Sequence, residues 1–137
     1  EMIFYGKIVN EWNGVIKGQA LVSKKRISFL GDIDPKRGIV RDPNSDIRGE
    51  HLKGRILVFK GGRGSTVGAS VIYALKKFGN APLAIVTVES DPVVISGAIF
   101  SDIPMISEVS EKILDIIQSG TVLELIERRN KGLIKVV

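Results

Sequence analysis

The feature that most constrains this sequence is a strand–loop–helix–strand unit near its centre. Arg55 to Lys60 is a compact apolar run of strand length, and glycines at 61, 62 and 64 follow it directly. From Thr66 to Phe78 apolar residues recur at helical spacing, and Gly79-Asn80 ends that pattern. Leu83 to Val88 is a second buried strand, so the segment predicts a β-loop-α-β unit with a right-handed crossover. The predicted buried stripe of its helix consists of Val67, Val71, Ile72, Leu75 and Phe78.

The sequence before this unit has the pattern of β-structure. Residues 3–9 and 15–22 alternate between apolar and polar side chains, and 26–30 form a third short apolar segment. A run rich in glycine, aspartate and proline follows from Gly31 to Gly49, which predicts a long, specifically shaped loop.

The sequence after the unit continues the mixture of strands and helices. Asp91-Pro92 predicts a turn before the apolar run 93–100, and residues 110–118 predict a helix. Closing strands are expected at 121–126 and 132–137. We therefore predict one domain over residues 1–137, of the α/β class with a β-rich N-terminal half, arranged as a small barrel or sandwich flanked by helices.

Composition excludes several kinds of site. Cysteine is absent, so any zinc or iron–sulfur centre that uses thiolates must be held by another chain. His51 is the only histidine and stands in a polar stretch, where a surface role is favoured over catalysis. Asp32, Asp34, Asp42 and Asp46 resemble a calcium loop, but Lys36 occupies the place of a third oxygen ligand, so turn and capping roles are favoured.

The net charge of +5 would suit nucleic acid, an anionic substrate or an acidic partner. Basic residues are scattered, and the clusters at 24–26 and 128–129 are not interleaved with aromatic residues, so we predict solvated faces and no nucleic-acid groove. No apolar run approaches the roughly 20 residues of a membrane span, and no basic-then-apolar leader opens the sequence. We expect a cytoplasmic protein without a membrane partner.

The glycine-rich loop predicts an anion site. Its glycines let a ligand approach the backbone, and the helix that follows offers free N–H groups and the positive end of its dipole. Known phosphate and nucleophile motifs do not fit: no Gly-Lys-Ser/Thr occurs, Val67 replaces the last glycine of the dinucleotide fingerprint, and Arg63 stands where a nucleophile elbow needs glycine.

Arg63 and Ser65 are the chemical groups of this loop. An arginine can grip a carboxylate with two hydrogen bonds, and Ser65 stands at or near the N-cap of the predicted helix. Two interpretations stay open from the residues alone. Either Ser65 only caps the helix while Arg63 is solvated, or the cation and the N–H donors lower the cost of a serine alkoxide that acts as a base. Ser70 is expected to make only a local helix contact.

Five sequence blocks resemble the aconitase X swivelling-domain family, in family order and over nearly the whole chain. They are GDIDP at 31–35, GIVRDP at 38–43, GGRGSTVGAS at 61–70, VIYALKKFGNAP at 71–82 and GAIFSDIP at 97–104. The resemblance implies the mobile, swivelling β/β/α domain of aconitase. It also implies a hydro-lyase in which Ser65 is the catalytic base. From the loop residues themselves we predict substrate binding by Gly62, Arg63, Gly64 and Thr66, and two other roles stay open for Arg63: ordering the loop, or pairing with an acidic group of the other subunit.

The same resemblance implies partners and a substrate class. This chain would be a small subunit that binds no cofactor, active only with a large subunit that carries the iron–sulfur cluster. The substrate would be a small anion, either (R)-5-phosphomevalonate or cis-3-hydroxy-L-proline. A different class also stays open, a non-catalytic anion-binding or regulatory module, which would explain the basic charge and the glycine loop but not the other four blocks.

Overall fold

Within residues 2–137, which the computed structural model describes, the chain forms nine strands and four helices. The strands are Ile3–Asn10 (β1), Ile16–Val22 (β2), Ile33–Asp34 (β3), Ile39–Val40 (β4), Arg55–Phe59 (β5), Ala84–Thr87 (β6), Met105–Ser107 (β7), Val122–Arg128 (β8) and Lys131–Val136 (β9). The helices are Phe29–Asp32 (α1), Gly68–Lys77 (α2), Pro92–Phe100 (α3) and Ile113–Ile116 (α4).

Seven strands close into a barrel in the order β1-β7-β6-β5-β2-β8-β9, and β9 pairs with β1 to complete it. β3 and β4 form a separate hairpin inside the predicted long loop. The run β2, β5, β6 and β7 is parallel, whereas the remaining pairings are antiparallel. Because parallel strands end at one edge of a sheet, the segments that follow β2, β5 and β6 all begin at the same rim, here called the carboxyl rim.

The parallel strands are buried on both faces, which explains their continuous apolar sequence. Ile56 and Val58 of β5 share one buried cluster with residues of β8 and β9, while Leu57 and Phe59 share a second cluster with Ile72 of α2. The alternation of strand side chains thus divides the core between the barrel strands with α4 and the layer under α2 and α3. The predicted mixed α/β fold, with a β-loop-α-β unit made of β5, α2 and β6, is confirmed.

The helix of this unit lies where the sequence predicted it, but two residues of the predicted buried stripe are exposed. α2 begins at Gly68 rather than at Thr66, so Val67 precedes the helix and is exposed. Phe78 follows the last helical residue and is also exposed. The helix ends as predicted: Gly79 adopts φ +74°, and the Asn80 N–H donates to the Leu75 carbonyl at 2.8 Å.

Other expectations were wrong in the type or length of an element. The segment 26–30 contributes only an isolated bridge at Ile27 and then turns into α1. The run 93–100 is helix α3, because Asp91 caps it and Pro92 occupies its first turn, a start signal that resembles a simple turn in sequence. The helix expected at 110–118 shrinks to α4, since Ile117 is already extended, and the short buried strand β7 was not predicted.

Candidate active site

The loop between β5 and α2, residues 60–67, lies at the carboxyl rim and is here called the β5–α2 loop. Its neighbours are the segment after β2, through the bridge between Ile27 and Gly62, and the segment after β6, through the Asp91 carboxylate. Ligand sites of parallel sheets form at this rim, because helix N-termini and loop backbone groups converge there. The topology therefore places the sequence-predicted loop where a binding site is expected.

Ser65 is exposed, and its side chain makes one short-range hydrogen bond. Its Oγ accepts from the Val67 N–H at 3.0 Å, a serine turn that precedes the helix. The N-cap position of α2 is Val67, which has no capping side chain. Ser65 therefore stabilises the approach to α2 without being its N-cap, and its hydroxyl can still donate a hydrogen bond.

Three consecutive backbone N–H groups, those of Ser65 and of the residues before and after it, are free donors among residues 2–137. The N–H groups of Gly64, Ser65 and Thr66 donate to no acceptor within the part of the chain that the structure describes. They precede the ten-residue helix α2, whose dipole favours negative charge at this end. This set of free donors supports the predicted anion site.

A cavity of about 190 Å³ opens beside the loop. Ile27, Phe29 and Val93 supply apolar walls, while Ser65 and Asp91 supply polar groups. The loop backbone from Gly62 to Ser65 forms one side of it. A small ligand in this cavity would meet the Ser65 segment directly.

Arg63 lies between this cavity and a second one of about 370 Å³, and it lines both. One terminal nitrogen, Nη2, donates to both oxygens of Asp32 at 2.9 and 3.1 Å and lies 3.7 Å from an oxygen of Asp42. Nε and Nη1 have no hydrogen-bond partner among residues 2–137, and half of the side chain is exposed. The structure thus holds the Arg63 guanidinium by one nitrogen, Nη2, and leaves its Nε and Nη1 donors available.

Asp32 is the buried partner of this arginine. Its side chain is 8% exposed, and besides Arg63 it accepts the Ser28 N–H at 2.8 Å. The predicted turn and capping roles are confirmed for Asp34, which accepts from the backbone of 36 and 37, and for Asp42, which accepts from the Asn44 N–H. Asp46 instead makes a long-range contact, because it accepts from the Lys24 N–H at 2.8 Å and from the Ser23 hydroxyl at 3.2 Å. The additional role of Asp32 as the partner of Arg63 was not predicted, because 31 residues separate the two.

Arg26 and Glu89 form a clamp across the start of the loop. Arg26 pairs with both carboxylate oxygens of Glu89, at 2.7 Å for the longer bond, and also donates to the Gly62 carbonyl at 3.3 Å. The hydrogen bonding between Arg26 and Glu89 lowers the pKa of Glu89 and raises that of Arg26. A Cβ at Gly61 would lie 2.5 Å from Glu89 Oε1, so a larger residue there would force the Glu89 carboxylate to shift. Arg26, which was predicted to be merely solvated, is part of the site.

Gly62 is fixed by a third carboxylate. Its N–H donates to Asp91 Oδ2 at 3.0 Å, and the other oxygen of Asp91 caps α3. Because the N–H and the carbonyl of Gly62 are both engaged, this residue can meet a ligand only by close approach of its backbone. The Asp-Pro pair before an apolar run was the signal that could have identified Asp91 as a helix cap.

Ser70 and His51 have the local and surface roles that the sequence favours. Ser70 donates to the Val67 carbonyl at 2.7 Å, a contact within the first turn of α2. His51 is exposed and forms an isolated bridge with Ile39. Across residues 2–137, His, Asp and Glu side chains form no group of three that could hold a metal ion, and no helix is long and apolar enough to cross a membrane.

Comparison with known proteins agrees with this architecture. The family model of the aconitase X swivel domain matches residues 4–136. The chain belongs to the aconitase X swivel domain family. In this family, the crystal structure of Thermococcus kodakaraensis aconitase X in its holo-form superposes with a TM-score of 0.88 at 41% identity, covering 98% of this chain and 99% of that one.

Two relatives of the same swivel domain carry a functional name. The phosphomevalonate dehydratase small subunit of Pyrococcus abyssi is 56% identical over 95 residues, which are 69% of this chain and 73% of the relative. The phosphomevalonate dehydratase small subunit of Methanothrix thermoacetophila is 48% identical over 116 residues, 85% of this chain and 84% of the relative.

Proposed function

We propose that this chain is the small subunit of a phosphomevalonate dehydratase, a two-subunit hydro-lyase. The complex would remove water from (R)-5-phosphomevalonate to give trans-anhydromevalonate 5-phosphate, in an archaeal mevalonate route to isoprenoids. The observation that carries the proposal is an exposed serine hydroxyl among three unpartnered backbone donors, at the carboxyl rim of an aconitase X swivel fold. The names of the relatives support the substrate.

In this proposal Ser65 is the catalytic base. Its Oγ takes a proton from C2, next to the substrate carboxylate, and the C–H electron pair forms the C2–C3 double bond. The C3–O bond breaks with its electron pair on oxygen, and the departing hydroxide takes a proton from solvent to leave as water. Ser65 then returns its proton to solvent, which regenerates the base. The donors of Gly64, Ser65 and Thr66 and the dipole of α2 favour the anionic form of the hydroxyl and the charge that develops at the carboxylate.

The proposed substrate-binding role of each loop residue depends on which of its hydrogen-bond donors are free. Gly64 and Thr66 would donate their free N–H groups to a carboxylate oxygen, while Gly62 would meet the ligand by close approach of its backbone. Arg63 would bind the substrate through Nε and Nη1 while Asp32 keeps Nη2 in place. A guanidinium can serve both partners because its donors form a planar fork.

The large subunit completes the site in this proposal. An iron–sulfur cluster would belong to that subunit, where it supplies Lewis-acid chemistry when bound. The residues of this chain do not fit such a cluster, because the sequence has no cysteine. We also propose that the complex acts in the cytoplasm on a small anionic substrate, with neither nucleic acid nor membrane as a partner.

The direct test is a dehydration assay under anaerobic conditions on the two subunits purified together. With Ser65→Ala we expect assembly to be unchanged and kcat to fall about 100- to 10 000-fold, the usual contribution of a general base. Ser70→Ala is the matched control, since it removes a hydroxyl five residues away whose hydrogen bond goes to the Val67 carbonyl. Full turnover by the assembled Ser65→Ala complex would remove Ser65 as the base.

The same assay separates the alternatives. Turnover of cis-3-hydroxy-L-proline without turnover of phosphomevalonate would reassign the substrate. Calorimetry with phosphomevalonate addresses the non-catalytic module: tight binding by this chain alone favours the module, while binding that strengthens on assembly favours the split enzyme.

A further inference from the structure

The carboxylate of Asp91 hydrogen-bonds to two parts of the fold, helix α3 and the β5–α2 loop. Asp91 stands between β6 and α3, as the N-cap of α3. Its Oδ1 accepts the N–H groups of Val93 at 3.0 Å and Val94 at 3.1 Å, and its Oδ2 accepts the Gly62 N–H at 3.0 Å. One oxygen therefore starts a helix, and the other anchors the β5–α2 loop.

Helix capping accounts for only one of these oxygens. Serine and asparagine cap helices about as well as aspartate with a single acceptor oxygen, and Pro92 already favours the helical start. The bond from Oδ2 to Gly62 crosses 29 residues of sequence and adds nothing to the cap. Its effect falls on the β5–α2 loop.

Two consecutive residues of that loop, Gly62 and Arg63, donate their backbone N–H groups to neighbouring segments just before Gly64 and Ser65. The Gly62 N–H goes to Asp91, and the Arg63 N–H goes to the Ile27 carbonyl at 3.2 Å. Gly64 then turns the chain with φ +82°, and Ser65 follows. Because Gly62 has no side chain, Asp91 approaches closely; a Cβ there would lie 3.1 Å from Oδ2.

We propose that Asp91 is a positioning residue for Ser65, acting through the Gly62 N–H, an inference that rests on the proposed function. The hydroxyl of Ser65 must meet a proton of a substrate that the large subunit holds largely in place. A shift of about 1 Å at a reacting group costs on the order of 100-fold in rate. The Asp91–Gly62 bond limits such shifts three residues before Ser65.

Two substitutions separate this role from helix capping. Asp91→Ser keeps a capping hydroxyl but is too short to reach Gly62 as well. Asp91→Asn keeps the shape of the side chain but has one oxygen, so it cannot accept from α3 and from Gly62 together. In the assembled complex we expect both to lower kcat about 10- to 100-fold with little change in KM, since the loss is one of alignment.

Asp115→Asn is the matched control, because it makes the same chemical change at an exposed α4 carboxylate that lies only near Lys24 at 4.0 Å. Its kcat should equal that of the wild type. Hydrogen exchange of the loop peptide in the complex gives a second measurement: exchange should speed up in the Asp91 variants and stay unchanged in Asp115→Asn.

The decisive measurement combines Asp91→Ser with Ser65→Ala. If Asp91 acts through Ser65, the second substitution costs little in the Ser65→Ala background, because residues that act as a unit are not additive. An equal loss of kcat in both backgrounds, or wild-type kcat and exchange in the Asp91 variants, would overturn the inference. Full activity of Ser65→Ala would instead overturn the proposed function, so the two failures are distinguishable.

Discussion

In the β5–α2 loop, the half from Gly61 to Arg63 is tied to three carboxylates, whereas the half from Gly64 to Thr66 has none of these ties. Glu89 acts on the first half through Arg26, Asp91 through the Gly62 N–H, and Asp32 through the Arg63 guanidinium. The carboxylates come from two parts of the chain: Glu89 and Asp91 lie in the connection between β6 and α3, and Asp32 is the last residue of α1.

The difference explains how a glycine-rich segment can be an ordered site. Glycine lowers the cost of unusual backbone geometry but raises the entropy that folding must overcome. Carboxylates on the first half restrict the loop without occupying the N–H donors of the second half. Donors held in place before a ligand arrives need no reorganisation when charge develops, which is the main advantage of an enzyme site over water.

The largest expected change in stability comes from removing Asp32, the buried carboxylate that holds the Gly61 to Arg63 half of the loop. Asp32→Ala leaves the Ser28 N–H and Arg63 Nη2 without their acceptor, so we expect the free energy of unfolding to fall by about 1–3 kcal/mol. Denaturant unfolding of wild type and variant measures this change. Asp115→Ala, at an 84% exposed side chain, is the control and should change stability little. Equal stability of both variants would contradict the role of Asp32.

A smaller effect is expected at the boundary between the halves. Gly64 has φ +82°, so Gly64→Ala should cost about 1–2 kcal/mol, and its Cβ would lie 3.2 Å from the Ser28 hydroxyl. Gly14→Ala is a matched control, because Gly14 has φ +75° and open space around it. Both variants should lose similar stability in denaturant unfolding. Only Gly64→Ala should lower kcat, and a similar decrease in both would show that backbone strain alone matters.

The smallest effect concerns the exposed clamp and depends on pH. Glu89→Gln removes the ion pair with Arg26 from a partly exposed site, where such pairs contribute about 0.2–1 kcal/mol. Because Arg26 lowers the pKa of Glu89 below its ordinary value of 4.5, the pair stabilises the fold above that pH. Its contribution should disappear as the pH falls through the lowered pKa.

The measurement for this clamp is the difference in unfolding free energy between wild type and Glu89→Gln across pH. It should be constant near neutrality and shrink in acid. A difference that instead grows as the pH falls would have the wrong sign for this ion pair.

The sequence predicted those parts of the fold that local patterns encode. Apolar runs located β5 and β6, and Gly79-Asn80 located the end of α2, because burial and left-handed turns leave a mark on consecutive residues. Helix α3 was not recognised as a helix. Its residues are apolar on nearly every face, so periodicity carried no information there, and only the Asp91-Pro92 start signal distinguished it.

In the candidate site, too, the sequence predicted what contiguous residues encode and missed the contacts between distant residues. Gly61 to Ser65 could be recognised as an anion-receptive loop because its glycines and its position before a helix are contiguous in sequence. Arg26, Asp32 and Asp91 could not be connected to it, since they lie 29 to 36 residues from their loop partners and pair only when the rim is assembled.

By itself, the sequence determined the β-loop-α-β unit, the absence of thiolate ligands and the family resemblance that singles out Ser65. The tertiary structure alone decided which side chains hold the β5–α2 loop and which donors remain free. The physical reason is that secondary structure and chain turns depend on neighbouring residues. The pairing of carboxylates with a loop depends instead on barrel closure, which brings the ends of β2, β5 and β6 to one rim.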